Sequence, residues 1–306
     1  MSSRWVAGSV RGRSLIRRRL GADGIQAVAS SPSLDAALAR LVNSPYARDI
    51  QINQSLPEAQ RAVSTTALWH IRVLAGWLPG GGVEIARVIA GYWEIANVAA
   101  QLGAMESGTR AALFDLGALG GIGQRVREAK RPQDVRTALS HSPWGDPRSN
   151  DGAEIVSWLR LRWAERLATS VPDALRWASG LLAILLAREL FVAGRRPGRG
   201  GWPTSPLGTG WERTTSIPEL AARLPTEARW SLEGIDDGVD LWRAEARWWA
   251  AIERAALAQL ARFRPGRAQD VVACITLLGV DAWRTRGALA LAAHGGRTIE
   301  AFDELV

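Results

Sequence analysis

The sequence is poor in the side chains that most enzyme and metal sites require. Of its 306 residues, one is cysteine, one is lysine and three are histidine. Cys274 cannot form a disulfide within the chain, and its apolar neighbours are typical of a small buried side chain in a reducing compartment. His70, His141 and His294 lie far apart, without a ligand-type side chain at metal-binding spacing. We therefore expect neither a metal site nor a cofactor.

Long hydrophobic runs are also missing. The apolar segments WASGLLAILLA and VVACITLLGV contain 11 and 10 residues, whereas a helix that spans a membrane needs about 20. The opening segment MSSRWVAGSVRGRSLIRRRLG contains arginines but no apolar core, so we expect no secretory signal in it. These features predict a protein that is soluble, or that rests on a membrane without crossing it.

Arginine is abundant, and it supplies every basic residue except Lys130. Lysine and arginine together number 38 against 30 acidic residues, which gives a net charge of +8. This balance permits contact with nucleic acid, an anionic membrane or an acidic protein. The clusters at residues 11–19 and 195–199 favour nucleic acid, because arginines can neutralise phosphates. Against this, the tryptophans occur at helical spacing, as core residues do, rather than as a stacking surface.

Apolar residues recur with the period of an α-helix along almost the whole chain. A clear example is the stripe formed by Val63, Ala67, Ile71, Leu74 and Leu78. We expect Pro79 and the glycines at 80–82 to end this helix. We also expect a second long helix over about residues 84–102 and a last pair of long helices over 268–293. No segment shows the sustained alternation of a strand, and the sequence predicts an all-α fold.

One pattern occurs more than once and predicts the domain organisation. The segment SLDAALARLVNSPY, residues 33–46, reads as a short helix followed by Ser-Pro and an aromatic residue. It returns as RPQDVRTALSHSPW at 131–144, and a degenerate copy, SIPELAARLPTEARW, occupies 216–230. Repetition of this kind indicates similar structural units. We predict three helical repeat units at residues 1–107, 108–200 and 201–306.

Some titratable residues are candidates for chemistry, and each also has a structural interpretation. Glu94 and Glu189 occur late on apolar helices, where a carboxylate needs a partner. Arg87 or Arg188 is the expected partner, and structural ion pairing is favoured over acid–base catalysis. His70 is expected to be a packed histidine rather than a catalytic base.

The order of these features resembles the C/d family of central-stalk proteins, which occurs in archaeal and bacterial A/V-type rotary ATPases and has a eukaryotic counterpart. An arginine-rich first helix is followed by the short helix that ends in Ser-Pro-Tyr. The segment GYWEIANVAAQLGA is similar to an aromatic, acidic and asparagine motif of that family, with Tyr92, Glu94 and Asn97 at the matching positions. The final DVVACITLLGVDAWRTRGALALAAHG resembles the last helical pair of the family, where Asp281 and Arg286 occupy typically polar positions.

This resemblance implies three similar helical units around a pseudo-threefold axis, arranged as a funnel. It implies a non-catalytic central-stalk subunit that links the rotor shaft to the membrane ring of a proton- or sodium-translocating ATPase. The implied partners are the shaft subunits and the ring, at the cytoplasmic face of the membrane, and no small-molecule substrate is expected. Tyr92, Glu94, Asn97, Asp281 and Arg286 would then be structural or interface positions. The alternative is an all-helical nucleic-acid-binding protein that uses its arginine clusters.

Overall fold

The computed structural model describes residues 2–197 and 201–295. These ranges contain α-helices, a few 3₁₀ turns and one π-helical turn, without a β-strand. The prediction of an all-α fold is therefore confirmed. The first seven α-helices are α1 Ser3–Ile16, α2 Gly21–Ala29, α3 Leu34–Leu41, α4 Leu56–Ala75, α5 Gly80–Ser107, α6 Gly123–Glu128 and α7 Pro132–Ser140. The others are α8 Gly152–Ser170, α9 Leu175–Ala187, α10 Ile217–Arg223, α11 Thr226–Arg229, α12 Leu241–Ala261 and α13 Ala268–Ala293.

Polar side chains fix where several of these helices begin. The side-chain oxygens of Ser33, Asp151 and Ser216 each accept the backbone N–H three residues further on, at 2.9 to 3.3 Å. At the start of α4, the Glu58 carboxylate accepts the backbone N–H of Ser55 at 2.8 Å. Such bonds satisfy N–H groups that have no partner within the first turn of a helix.

Glycine interrupts the helices less than the sequence pattern predicts. The helix α4 ends at Ala75, and the glycines at 80–82 form the first turn of α5 instead of a break. A Cβ atom on Gly82 would lie 3.0 Å from the Trp5 ring, so the absent side chain allows close packing. The expected pair of helices over 268–293 is a single helix, α13. The helix α4 ends before Pro79, as predicted, but the predictions of non-helical glycines at 80–82 and of two helices over 268–293 were wrong. A glycine inside a helix costs only about 1 kcal/mol, which packing offsets.

The chain divides into two compact units, each of which is described by itself. The terminal unit comprises Met1–Ala86 and Trp249–Val306, and the central unit comprises Arg87–Trp248. In the terminal unit, α13 packs against α1, α2, α3 and α4, so the two ends of the chain share one core. Its fully buried side chains include Leu38, Leu41, Ile71 and Leu74. The predicted three-unit boundaries and the funnel arrangement stay predictions.

The central unit has its own core. The helices α8 and α9 pack against each other, and α11 packs against α9. A second group of buried residues joins α5 to the segments that follow it, namely Val98, Leu102, Ile122, Val126, Leu139, Trp144, Ile155 and Leu159. Burying a side chain of this size contributes about 1.5 to 3 kcal/mol. Trp144 is one of the tryptophans that the sequence predicts in the core, and its side chain is only 2% exposed.

Gly91 on α5 tests this packing. A Cβ atom there would lie 2.9 Å from Trp163 Cδ1 and 3.2 Å from the Trp144 ring. The Trp163 indole cannot move away freely, because its N–H donates to the Val88 carbonyl at 2.8 Å. We expect Gly91→Ala to lower the free energy of unfolding by about 1 to 3 kcal/mol, measured by urea denaturation.

Gly103 is the matched control, because it lies on the same helix with no atom within 4 Å of an added Cβ. Gly103→Ala is expected to raise the free energy of unfolding by about 0.5 to 1 kcal/mol through helix propensity alone. Equal effects of the two substitutions would contradict the packing described for Gly91.

Candidate functional site

The two Ser-Pro-aromatic turns have the same local geometry. The Ser44 hydroxyl donates to the carbonyl three residues before it at 2.7 Å and accepts the N–H of Tyr46 at 3.1 Å. The Ser142 hydroxyl makes the same two bonds, to the carbonyl three residues before it at 2.7 Å and from the N–H of Trp144 at 3.1 Å. Each serine thereby holds a tight turn that directs the following aromatic ring into the core. Their identical bonding supports the repeat that the sequence indicates.

In the terminal unit, the first turn leads to a buried carboxylate. The Tyr46 hydroxyl donates to Asp281 Oδ2 at 2.8 Å. The backbone N–H groups of Leu20 and Gly21, at the start of α2, donate to the two oxygens of the same carboxylate at 3.2 and 2.9 Å. We call this arrangement the Asp281 tie. It joins α13, the start of α2 and the turn after α3.

In the central unit, the second turn leads to another buried carboxylate. The Trp144 indole N–H donates to Glu94 Oε2 at 2.8 Å. The backbone N–H groups of Gly121 and Ile122, just before α6, both donate to Glu94 Oε1, the latter at 3.1 Å. We call this arrangement the Glu94 tie. It joins a long helix, the start of a short helix and an aromatic turn, as the Asp281 tie does.

Burial strengthens both ties. Asp281 is 4% and Glu94 is 8% exposed, and bonds to an ionised acceptor are about twice as strong as neutral ones. The pKa of Tyr46 is raised well above its usual range, first by burial and then by the negative charge of Asp281. The tyrosine therefore stays protonated and keeps donating. The Asp281 tie and the Glu94 tie can thus hold the backbone in place. The N–H and O–H groups that donate to the two carboxylates are already used within the fold.

The other two motif residues of α5 differ in what they contact. Asn97 forms a pair of bonds with the backbone of Phe114, donating to its carbonyl at 2.9 Å and accepting its N–H at 2.6 Å. It therefore fixes the loop that leads towards Gly121. Tyr92 is 39% exposed, and its ring lies 5.9 Å from that of Trp163. Of the five predicted positions, Glu94 and Asn97 thus both bond to the backbone of the segment that connects α5 to α6.

Arg286 lies one turn beyond the Asp281 tie on α13. Its guanidinium donates to Ser64 Oγ at 3.4 Å, and its backbone carbonyl accepts the Gln60 side-chain N–H at 3.1 Å. It thus joins α13 to α4 in the terminal unit. Arg286 also lies near enough to Tyr46 for its positive charge to lower the pKa of that phenol, against the larger effects of burial and Asp281.

The expected ion pairs do not form as the sequence pattern predicted. Glu94 bonds to backbone and indole N–H groups, while Arg87 donates to a backbone carbonyl. Glu189 pairs with Arg195 at 2.7 Å rather than with Arg188, which pairs with a different carboxylate. The predicted partners were wrong, and structural rather than catalytic roles for both acids stay a prediction. Backbone N–H groups satisfied one acid, and a guanidinium six residues along the chain satisfied the other.

Glu189 lies on the wall of a polar cavity of about 630 Å³ in the central unit. Four arginines and four acidic residues line it, together with Trp158 and Trp202. Three of the acids bond to arginines, in the pairs Asp146–Arg136, Glu165–Arg162 and Glu189–Arg195. The lining charges therefore neutralise one another and do not form an array of one sign.

Two further observations concern chemistry and membranes. Within residues 2–197 and 201–295, no group of three or more His, Cys, Asp or Glu side chains is placed to hold a metal ion. Burial, reinforced by Asp270, raises the pKa of the Cys274 thiol to about 12, so this cysteine is not a thiolate at neutral pH.

Within residues 2–197 and 201–295, no helix combines the length and hydropathy required to span a membrane.

Comparison with known proteins adds no family. No protein-family model matches the chain, and no curated protein matches it either.

Sequence reasoning found the acids and the aromatic turns separately but did not connect them. Glu94 and Asp281 were marked as motif positions, and Tyr46 and Trp144 as the ends of the repeated segment. The available signal was their joint repetition, because an acid near the middle of a long apolar helix occurs together with a short helix that leads to an aromatic donor in both cases. The backbone N–H donors left no sequence signal, since every non-proline residue carries one.

The Glu94 tie is tested by removing its charge while keeping its shape. In Glu94→Gln, one of the donors now facing the carboxylate, either a backbone N–H or the Trp144 N–H, meets an NH₂ group instead of an oxygen. We expect the free energy of unfolding to fall by about 1 to 3 kcal/mol, measured by urea denaturation. Glu106→Gln, exposed on the same helix, is the control, with an expected change within about 0.5 kcal/mol.

A double-mutant cycle tests whether the loss of stability in Glu94→Gln comes from its bond to Trp144. Trp144→Phe removes the indole donor, so Glu94→Gln is expected to cost less in that background than in the native protein. Strictly additive costs would show that Glu94 and Trp144 act independently, contrary to the geometry.

The raised pKa of Tyr46 predicts that the free energy of unfolding depends on pH in the alkaline range. In the unfolded chain its phenol ionises near the ordinary pKa of about 10, but burial and Asp281 keep it protonated in the folded protein. The unfolded state therefore loses a proton first, and stability falls as pH rises above the unfolded pKa, by about 1.4 kcal/mol per pH unit. Tyr46→Phe should show a shallower fall, because the part that remains comes from Cys274, whose thiol pKa is also raised in the folded protein. Parallel pH profiles of the two proteins in the alkaline range would refute the prediction.

Proposed function

We propose that the chain is a non-catalytic central-stalk coupling subunit of a V/A-type ion-translocating rotary ATPase. In this role it links the rotor shaft to the membrane ring and hydrolyses nothing itself. It lies at the cytoplasmic face of the membrane, with the shaft subunits and the ring as partners. A funnel of three similar helical units, as the resemblance implies, is the form in which it would receive the shaft.

The observation that carries this proposal is the repetition of the carboxylate tie. The resemblance marks Glu94 and Asp281 on two different long helices, and both acids accept two consecutive backbone N–H groups and one aromatic donor. The motif positions therefore have one shared structural task. This supports a chain assembled from similar units, as the resemblance requires, and a role in holding helices rather than in chemistry.

Mechanical coupling also requires a stiff body. In the terminal unit, the buried Arg284 forms an ion pair with the partly buried Glu253 at 2.8 Å, and Trp249 stacks on Trp283 with ring centroids 4.7 Å apart. Close-packed interiors have low compressibility and transmit strain. Long helices joined by buried ties and such contacts suit a part that passes torque from one partner to another.

The membrane-facing part of the proposal rests on exposed arginines. Arg17 and Arg18 follow α1 and are exposed. At an anionic cytoplasmic leaflet, each arginine near the surface contributes about 1 kcal/mol. This attraction is sufficient to orient a protein that is already held by the ring, and it does not need a membrane-spanning helix.

The second candidate, a nucleic-acid-binding protein, has less support. Arg195 bonds to Glu189, and Arg196 donates to the carbonyls of Glu212 and Thr214, so these two members of the second cluster are used within the fold. If nucleic acid were the partner, binding would weaken steeply as salt rises. Absence of retention on DNA or RNA at low salt would eliminate this alternative.

The decisive experiment is reconstitution with the rotary ATPase of the organism that encodes the chain. We expect the tagged full-length protein to co-purify with both shaft and ring subunits. Without it, ATP hydrolysis by the catalytic head should continue while ATP-driven ion transport is lost, because torque no longer reaches the ring. Assembly and full ion transport in its absence would refute the proposed function.

A matched pair of variants tests whether the subunit transmits torque or only needs to be present in the complex. Glu94→Gln, which weakens a tie, is expected to reduce transport more than hydrolysis, whereas Glu106→Gln should leave both unchanged. The amount of each variant in the purified complex is measured in parallel. Equal losses of transport with both variants would argue against a mechanical role for the tie.

A further inference from the structure

The buried polar atoms that have no hydrogen-bond partner among the residues that the structure describes include Nε of Arg11, on α1, and Nδ1 of His70, on α4. These two helices pack against each other in the terminal unit. The rest of the Arg11 guanidinium also makes no hydrogen bond or ion pair in this part of the chain. Native proteins leave few buried polar atoms without a partner, and each exception calls for a ligand, ion or water.

The packing of α1 on α4 brings these two atoms into one neighbourhood. A Cβ atom on Gly12 would lie 3.7 Å from Leu74, and one on Gly8 would lie against Leu78. The residues around Arg11 therefore run alongside the turn of α4 that follows His70. Arg11 also lies near enough for its positive charge to lower the pKa of His70.

A second arginine faces the same histidine. The Arg48 guanidinium lies over the Trp69 ring, 4.4 Å from its centroid, and lowers the pKa of His70 further. Burial is the largest cause of that lowered pKa, and Asp49 is the one opposing charge. Asp49 lies 3.7 Å from Arg48 and also accepts the Thr66 hydroxyl. The charges that act on His70 are thus two guanidiniums and one carboxylate, which leaves an excess of one positive charge.

We propose that Arg11, His70 and Arg48 form a binding site for a phosphate-type oxyanion. One anionic oxygen accepts from Arg11 Nε and from the protonated Nδ1 of His70, and Arg48 supplies a second positive charge at the open side. The anion balances the excess charge, which a water molecule cannot do. A half-buried guanidinium and a buried imidazole nitrogen without partners are costly, and charge-assisted bonds to an oxyanion remove that cost.

This chemistry has two possible sources, free phosphate and the phosphate of an anionic lipid headgroup. The site is independent of the proposed ATPase role, because it requires no other subunit. Failure to bind a shaft or ring would leave it intact, and failure to bind phosphate would leave the coupling role intact.

Histidine NMR gives a direct test, because the chain has only three histidines. Imidazole C–H resonances of the full-length protein are followed through a pH titration, with and without inorganic phosphate, at constant ionic strength set by sodium chloride. Bound phosphate favours the protonated imidazole. We expect the midpoint of the His70 titration to move to higher pH by about one pH unit, saturably, while His141 and His294 stay unchanged.

Variants separate the site from general screening. Arg11→Gln is expected to weaken phosphate binding at least about tenfold, because it removes a charge-assisted bond. Arg254→Gln removes the same charge from an exposed position on α12 and is expected to leave binding unchanged. Arg48→Gln supplies a second test in case the first variant unfolds, which circular dichroism would report.

A parallel titration uses phosphatidylcholine vesicles with and without phosphatidylglycerol. A His70 shift with phosphate that Arg11→Gln abolishes supports the site with a free anion, and a shift only with phosphatidylglycerol supports it with a lipid headgroup. If neither probe moves the His70 titration, or if Arg254→Gln weakens binding as much as Arg11→Gln does, the site is overturned.

Discussion

The structure depends on one constraint, which is that a buried carboxylate must have its oxygens satisfied. Leaving an ionised group without partners in a protein interior costs several kcal/mol. Asp281 meets this requirement with donors from Leu20, Gly21 and Tyr46, all more than 200 residues away along the chain. The two ends of the chain are consequently held in one unit. The same requirement at Glu94 fixes the segment that leads into α6.

The aromatic donors explain how a repeated design persists with little sequence identity. Tyrosine and tryptophan both have a large apolar body and one polar hydrogen at the tip. Tyr46 and Trp144 can therefore make the same contact from the same serine-held turn. Asp281 and Glu94 differ by one methylene, and the difference in reach is taken up by the aromatic ring and the backbone. The geometry is retained although the residue types change.

The sequence predicts the helical content well because apolar period and capping residues are local signals. Ser33 and Ser216 begin helices as their positions suggest. Helix ends at glycine were less predictable, since Gly82 lies in a helix where it permits close contact with Trp5. The partners of Glu94 could not be predicted from the sequence for another reason. An abundance of arginine suggested an ion pair, whereas the true donors are backbone groups that any residue supplies.

The third acid shows what the ties contribute. Glu189 is the fifteenth residue from the start of its helical segment, as Glu94 is from the start of α5, yet it bonds to Arg195 rather than to backbone N–H groups. A backbone donor at a helix start is fixed by the helix itself, whereas a guanidinium has several rotatable bonds. Arg195 is also 33% exposed beside the polar cavity, so salt and water screen the pair more than they screen a tie. The contact that Glu189 makes is therefore less rigid than the contact that Glu94 makes.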